Sequence, residues 1–220
     1  SNMKFGIILM VIFFSVLLGG CQQMGKELKP SEMNPDDLPD ERAFQDEFTR
    51  EFLQSVEETR PGYYPFLSKT GKYKMDFPAG GLIGKNLYNI RSNVFESILV
   101  SILNNDGTGS ELSIFYYKEN TNDTLNFNLE SFRGRLGIDI KFELIELDEH
   151  DIYYAYYEFA KFQDHVAYIQ NKIDPGGLEI IYSTYCTEEN IDLCEKNKNE
   201  RNKIIYDWIK SVSFINENDD

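Results

Sequence analysis

Cysteine, histidine and tryptophan are scarce in this chain of 220 residues, which holds three, two and one of them. So few thiols and imidazoles leave little for a metal centre. A structural zinc site wants four ligands, and no CxxC pair is present. The histidines, His150 and His165, stand at the starts of two consecutive strand-like runs beside Asp151 and Asp164. Antiparallel pairing of those runs would set them a strand length apart, and no GxSxG elbow accompanies them, so no hydrolytic site is expected. Basic residues are also short, at 22 Lys and Arg against 37 Asp and Glu, for a formal net charge of −15. Phosphate recognition needs clustered Lys and Arg that release counterions, so nucleic acid is not an expected partner. The one long apolar run, residues 5–18, falls short of the ~20 apolar residues that a bilayer-spanning helix requires.

What that run does contain is informative. Lys4 precedes it, and it ends in Leu18-Gly19-Gly20-Cys21 ahead of a polar stretch. A short apolar segment closed by two small residues and a cysteine resembles the lipobox of bacterial lipoproteins. The resemblance implies that residues 1–20 are a signal peptide and that Cys21 carries a diacylglyceryl group. It places the chain on the extracytoplasmic face of the bacterial cell membrane. No polybasic segment flanks Cys21, so the lipid does the anchoring, with two acyl chains supplying the double signal that stable attachment needs. With Cys21 lipidated, Cys186 and Cys194 remain, separated by seven polar-rich residues. An even remainder outside the cytosol points to a disulfide, worth about 2–3 kcal/mol across so short a loop; two free thiols or a metal pair are the alternatives.

Residues 22–39 carry Pro30, Pro35 and Pro39 with little apolar content, and read as a flexible tether. From residue 40 to 60 an amphipathic helix is expected, because Phe44, Phe48, Phe52 and Val56 recur every four residues. Its aromatic stripe either packs on the domain's own core or docks on an envelope protein, which makes Phe44, Phe48 and Phe52 candidate partner-binding residues. Residues 61–220 then read as a single α+β domain. Strand patterns cover 71–78, 94–103, 111–117, 138–147, 150–162, 165–173 and 178–185, and helices are expected around 125–136 and 198–212. Short turns between the runs imply an antiparallel meander, flanked by the two helices. The order resembles the PsbP-like fold on three features: a first strand ending in Phe77-Pro78, a helix inside the strand series, and a closing helix leading into Ser211-Val212-Ser213-Phe214. That resemblance implies an α/β/α sandwich with a noncatalytic binding or assembly role.

Three motifs look functional but have simpler readings. The loop 79–86 lacks both the first glycine and the Ser or Thr of a phosphate loop. Residues 104–110 begin like a calcium loop, but Phe115 stands where the bidentate glutamate belongs, so a hairpin turn is expected. The tyrosines at 63, 64, 116, 117, 153, 154, 156 and 157 suit either a glycan platform or a polar-tipped core. The sequence therefore points to a nonenzymatic surface lipoprotein that binds or assembles an envelope protein and uses no cofactor. A solute- or glycan-binding lipoprotein is the alternative, and an extracytoplasmic hydrolase stands behind both.

Overall fold

A computed structural model describes residues 27–219, so the signal peptide, its lipobox and Cys21 lie outside the described residues. The fold is mainly antiparallel, with eleven strands in two sheets among the described residues. The small sheet has the order β1-β2-β11, from Tyr63–Leu67 (β1), Tyr73–Pro78 (β2) and Ser213–Phe214 (β11). The large sheet runs β3-β5-β6-β10-β9-β8-β7, with β4 also beside β5. Its strands are Gly81–Ile83 (β3), Asn89–Arg91 (β4), Phe95–Leu103 (β5), Gly109–Tyr117 (β6), Glu143–Glu146 (β7), His150–Phe159 (β8), Phe162–Asn171 (β9) and Gly177–Tyr185 (β10).

Side chains alternate across the large sheet and give it two apolar faces. On one face Ile98, Val100, Leu112, Ile114, Ile169 and Ile180 form the main core with the small sheet and the helix Lys198–Ile209, whose Ile205, Trp208 and Ile209 are buried. The other face carries a second cluster, where the helix Leu125–Leu136 lays Leu129 and Phe132 over Ala155, Val166 and Tyr168. This helix ends where expected, with Gly137 in the left-handed conformation and its N–H donating to the Arg133 carbonyl. Polar contacts fix it in place. Asn120 and Asn128 donate to the Tyr168 hydroxyl, and Arg135 pairs with Glu179, a buried carboxylate. Cover on both faces explains why β8 is apolar or aromatic along both of its alternating rows.

The expected helix over 40–60 does not form as one element. In its place are two short helices, Arg42–Gln45 (α1) and Glu47–Arg50 (α2), broken at Asp46. The Asp46 side chain accepts from the Thr49 N–H and from the Thr49 hydroxyl, both at 2.7 Å, so an aspartate that would be neutral in a helix interior starts a new helix instead. Beyond α2 the chain extends, and Leu53 bridges to Phe66. The four-residue spacing of aromatics is satisfied by a converging cluster and not by one stripe. Phe44 and Phe52 are buried, and Phe52 stacks on Phe66 with ring centroids 5.5 Å apart while Phe48 and Tyr88 meet it edge-on. Phe44 and Phe52 thus face this domain's core and offer no surface to a partner; Phe48 is half-buried beside them.

The tether also ends earlier than expected. Within 27–39, Pro30–Glu32 and Pro35–Asp37 form single turns, Pro30 is buried, and Leu38 packs against the main core. Proline presets φ for both turns, and Asn34 caps the second by accepting from the Asp36 N–H at 3.1 Å. The strand expected over 138–147 shrinks to Glu143–Glu146. Residues ahead of it are held by the preceding helix, where Arg133 donates to the Ile140 carbonyl at 3.0 Å and Phe132 stacks on Phe142.

Candidate functional site

A cavity of about 380 Å³ opens between three connected pieces of the main-core side. They are the β2–β3 turn at Pro78, Ala79 and Gly80, the β5–β6 hairpin from Leu103 to Asp106, and the first turns of the helix Lys198–Ile209. The hairpin is shaped by Gly107, at φ +83°, and by the Asn104 N–H donating to the Thr108 carbonyl at 2.9 Å. Only glycine fits at position 80, since a Cβ there would sit 2.0 Å from the Leu103 carbonyl oxygen. That close approach brings the two turns together at the cavity wall.

Arg201 forms the floor with Asp106. Its guanidinium donates to an Asp106 oxygen at 2.7 Å, to the Gln163 side-chain oxygen at 2.6 Å and to the Cys194 carbonyl at 2.9 Å. Asp106 also accepts from the Thr108 N–H and hydroxyl. Burial pushes the Asp106 carboxyl up, but these hydrogen bonds and the Arg201 charge outweigh it and hold the group below its ordinary value. Both charges are thereby consumed by each other. Tyr182 completes the floor: it is buried edge-on against Trp208, and burial drives its hydroxyl well above the ordinary tyrosine value. That hydroxyl lies near Tyr63, Asp106 and Arg201, and makes no hydrogen bond among the described residues. Ile102, Leu103, Ile204 and Ile205 are apolar walls, with Leu103 and Ile204 reaching solvent at the rim.

The Cys194 carbonyl reaches Arg201 because Cys186 and Cys194 are disulfide-bonded, with Cα atoms 5.8 Å apart. The bridge ties the end of β10 to the short helix Ile191–Lys196, which leads directly into the helix that carries Arg201.

The other candidates fall elsewhere. His150 pairs with Asn171 and His165 with Tyr156, six residues apart along β8, or about 20 Å at strand rise. His165 is buried, with its ring nitrogens bonded to the Tyr154 hydroxyl at 2.8 Å and the Asn202 side-chain oxygen at 3.0 Å, and burial pushes it down to about 4. His150 is buried beside Phe214 and also titrates low, chiefly through burial. Neither touches a nucleophile. The loop 79–86 becomes β3 and a single turn at Lys85–Leu87, with no phosphate cradle. Of the eight tyrosines that suggested a platform, Tyr64, Tyr116 and Tyr154 are buried and the other five half-buried. Among the described residues no group of three or more His, Cys, Asp or Glu side chains is placed to hold a metal ion, and no helix is long and apolar enough to cross a membrane.

Sequence reasoning missed the cavity floor. Asp106 reads only as a turn residue in the sequence, and Arg201, 95 positions away, is a charged residue on the buried face of its helix, in line with Ile205 and Trp208. The one hint was an arginine one turn before the apolar face of Ile204, Ile205 and Trp208.

Comparison with known proteins gives the chain a family. The family described as "Putative lipoprotein YvcA" matches residues 39–213. The protein of that name from Bacillus subtilis (strain 168) is 27% identical over 241 residues, covering 93% of this chain and 95% of the relative. Two solved structures resemble the chain more distantly. The Saccharomyces cerevisiae Ran-binding protein Mog1p is 14% identical with a TM-score of 0.43, covering 69% of this chain and 94% of that one. A Bacteroides thetaiotaomicron VPI-5482 protein is 12% identical with a TM-score of 0.39, covering 70% of this chain and 48% of that one. With most of its length matched, from the first short helices through the last strand, the chain belongs to the YvcA lipoprotein family.

Proposed function

We propose that this chain is a noncatalytic lipoprotein, anchored through Cys21 to the extracytoplasmic face of the bacterial cell membrane, that binds or helps assemble another envelope protein. Leu18-Gly19-Gly20-Cys21 supports the anchor, and the family match supports a lipoprotein. The PsbP-like arrangement of the domain belongs to the same reading. One observation carries the binding role. The cavity has apolar walls and a floor whose acid and base are locked to each other, so it offers contact area without a free reactive group.

The cavity is also what favours the second reading, a solute-binding lipoprotein. Of the tyrosines that a glycan platform would use, Tyr64, Tyr116 and Tyr154 are buried and the other five half-buried, which counts against the glycan form of this reading. Crosslinking in the intact envelope separates the two readings: an envelope protein recovered on the anchored chain supports the first. Recovery of no protein, with a small molecule co-purifying instead, supports the second.

A further inference from the structure

We propose that the cavity receives one uncharged apolar side chain from an extended peptide segment of a partner protein, an inference that rests on the binding role above. Size is the first argument. At about 380 Å³ the cavity lies at the low end of the range for ligand pockets, roughly 300–1,000 Å³, which suits one side chain with its flanking peptide units. Its chemistry is the second. Ile102, Leu103, Ile204 and Ile205 are apolar on facing sides, and Leu103 and Ile204 remain exposed at 57% and 45% with nothing covering them among the described residues.

Charge chooses among occupants. The charged groups lining the cavity are Asp106, Arg201 and Glu200. Asp106 and Arg201 neutralise each other, which leaves the exposed Glu200 at the mouth on a chain of net charge −15. A negatively charged ligand meets only repulsion there. The Asn105 and Asn197 side chains also line the opening, make no hydrogen bond among the described residues, and each offer a donor and an acceptor. That pair of functions matches the N–H and C=O of a peptide backbone.

The test uses the full-length protein in neutral detergent, isotope-labelled at isoleucine methyl groups and titrated with three probes. N-acetyl-leucinamide carries the apolar side chain and no charge, N-acetyl-leucine adds a negative charge, and N-acetyl-glycinamide removes the side chain. Saturable shifts at Ile102, Ile204 and Ile205 are expected with N-acetyl-leucinamide, at least fivefold weaker with N-acetyl-leucine, and absent with N-acetyl-glycinamide. Ile204→Glu, at a solvent-reaching position that the fold tolerates, should abolish the shifts. The proposal is overturned if no saturable shift appears at these methyls, if the three probes bind alike, or if Ile204→Glu binds normally. Failure of the pocket and failure of the binding role differ: an envelope protein captured equally by wild type and Ile204→Glu overturns the pocket alone. Probe binding without any captured protein overturns the envelope partner and leaves the pocket supported.

Discussion

Truncating Phe52 measures whether the N-terminal aromatic cluster is core or docking surface. Phe52 is fully buried, parallel to Phe66 and met edge-on by Phe48 and Tyr88, with the Lys69 ammonium 4.9 Å from its ring centroid. Burying a phenylalanine and then deleting it in place costs about 3–5 kcal/mol, because the lost transfer energy is joined by a cavity that the rigid surroundings fill poorly. Three aromatic partners lose their contact at once, which puts Phe52→Ala near 4 kcal/mol. With a urea slope of about 2 kcal/mol per M, the unfolding midpoint should fall by about 2 M. Phe127, which is 75% exposed, supplies the control, and Phe127→Ala should stay within about 0.5 kcal/mol of wild type. Equal midpoints for Phe52→Ala and Phe127→Ala would refute the packing reasoning and return the cluster to the surface.

His165 predicts a pH dependence with a definite sign. Its folded value of about 4 lies below the ordinary 6.5, chiefly through burial, so the unfolded chain takes up the proton first as pH falls. Its contribution is complete above pH 6.5 and is lost between 6.5 and 4, an amplitude of roughly 3 kcal/mol that His165→Gln should lack. Chemical denaturation of both proteins across that window checks it, and parallel curves contradict it. Replacing Cys186 and Cys194 with serine opens a loop with a sequence separation of 8, and should lower the unfolding free energy by about 2.5 kcal/mol. An unchanged urea midpoint would show that the bridge constrains nothing that the fold does not already hold.

The strands legible in the sequence are those with a strong period of two or cover on both faces. β5, β6, β8, β9 and β10 were marked by their own side chains, and the helix at Leu125–Leu136 by its apolar spacing and by Gly137. β3 and β4 were missed because strands of three residues carry no period. β1 was missed because Pro65 sits within it, tolerated because its nitrogen points away from the partner strand β2, on the side where its carbonyl accepts from the Gln54 N–H. The long-helix expectation failed through a local competition that spacing alone does not weigh, in which Asp46 caps what it would otherwise interrupt. Long-range pairings were not legible at all. Glu96 is buried and accepts from the Lys69 and Thr70 N–H groups and from the Thr70 and Tyr88 hydroxyls, clamping the β1–β2 turn to the large sheet. The Asp106–Arg201 pair was hidden in the same way, since each residue looks ordinary among its own neighbours.

The most direct measurement of the central claim is photo-crosslinking in intact cells. A photoreactive amino acid replaces Ile204 at the cavity rim in the anchored chain, and again in a Cys21→Ala version. The account predicts a lipid on Cys21 by mass spectrometry and one envelope protein crosslinked in the anchored form, with the yield falling sharply when Cys21 is removed. A membrane-retained Cys21→Ala protein, or a rim that crosslinks to no envelope protein, would contradict it.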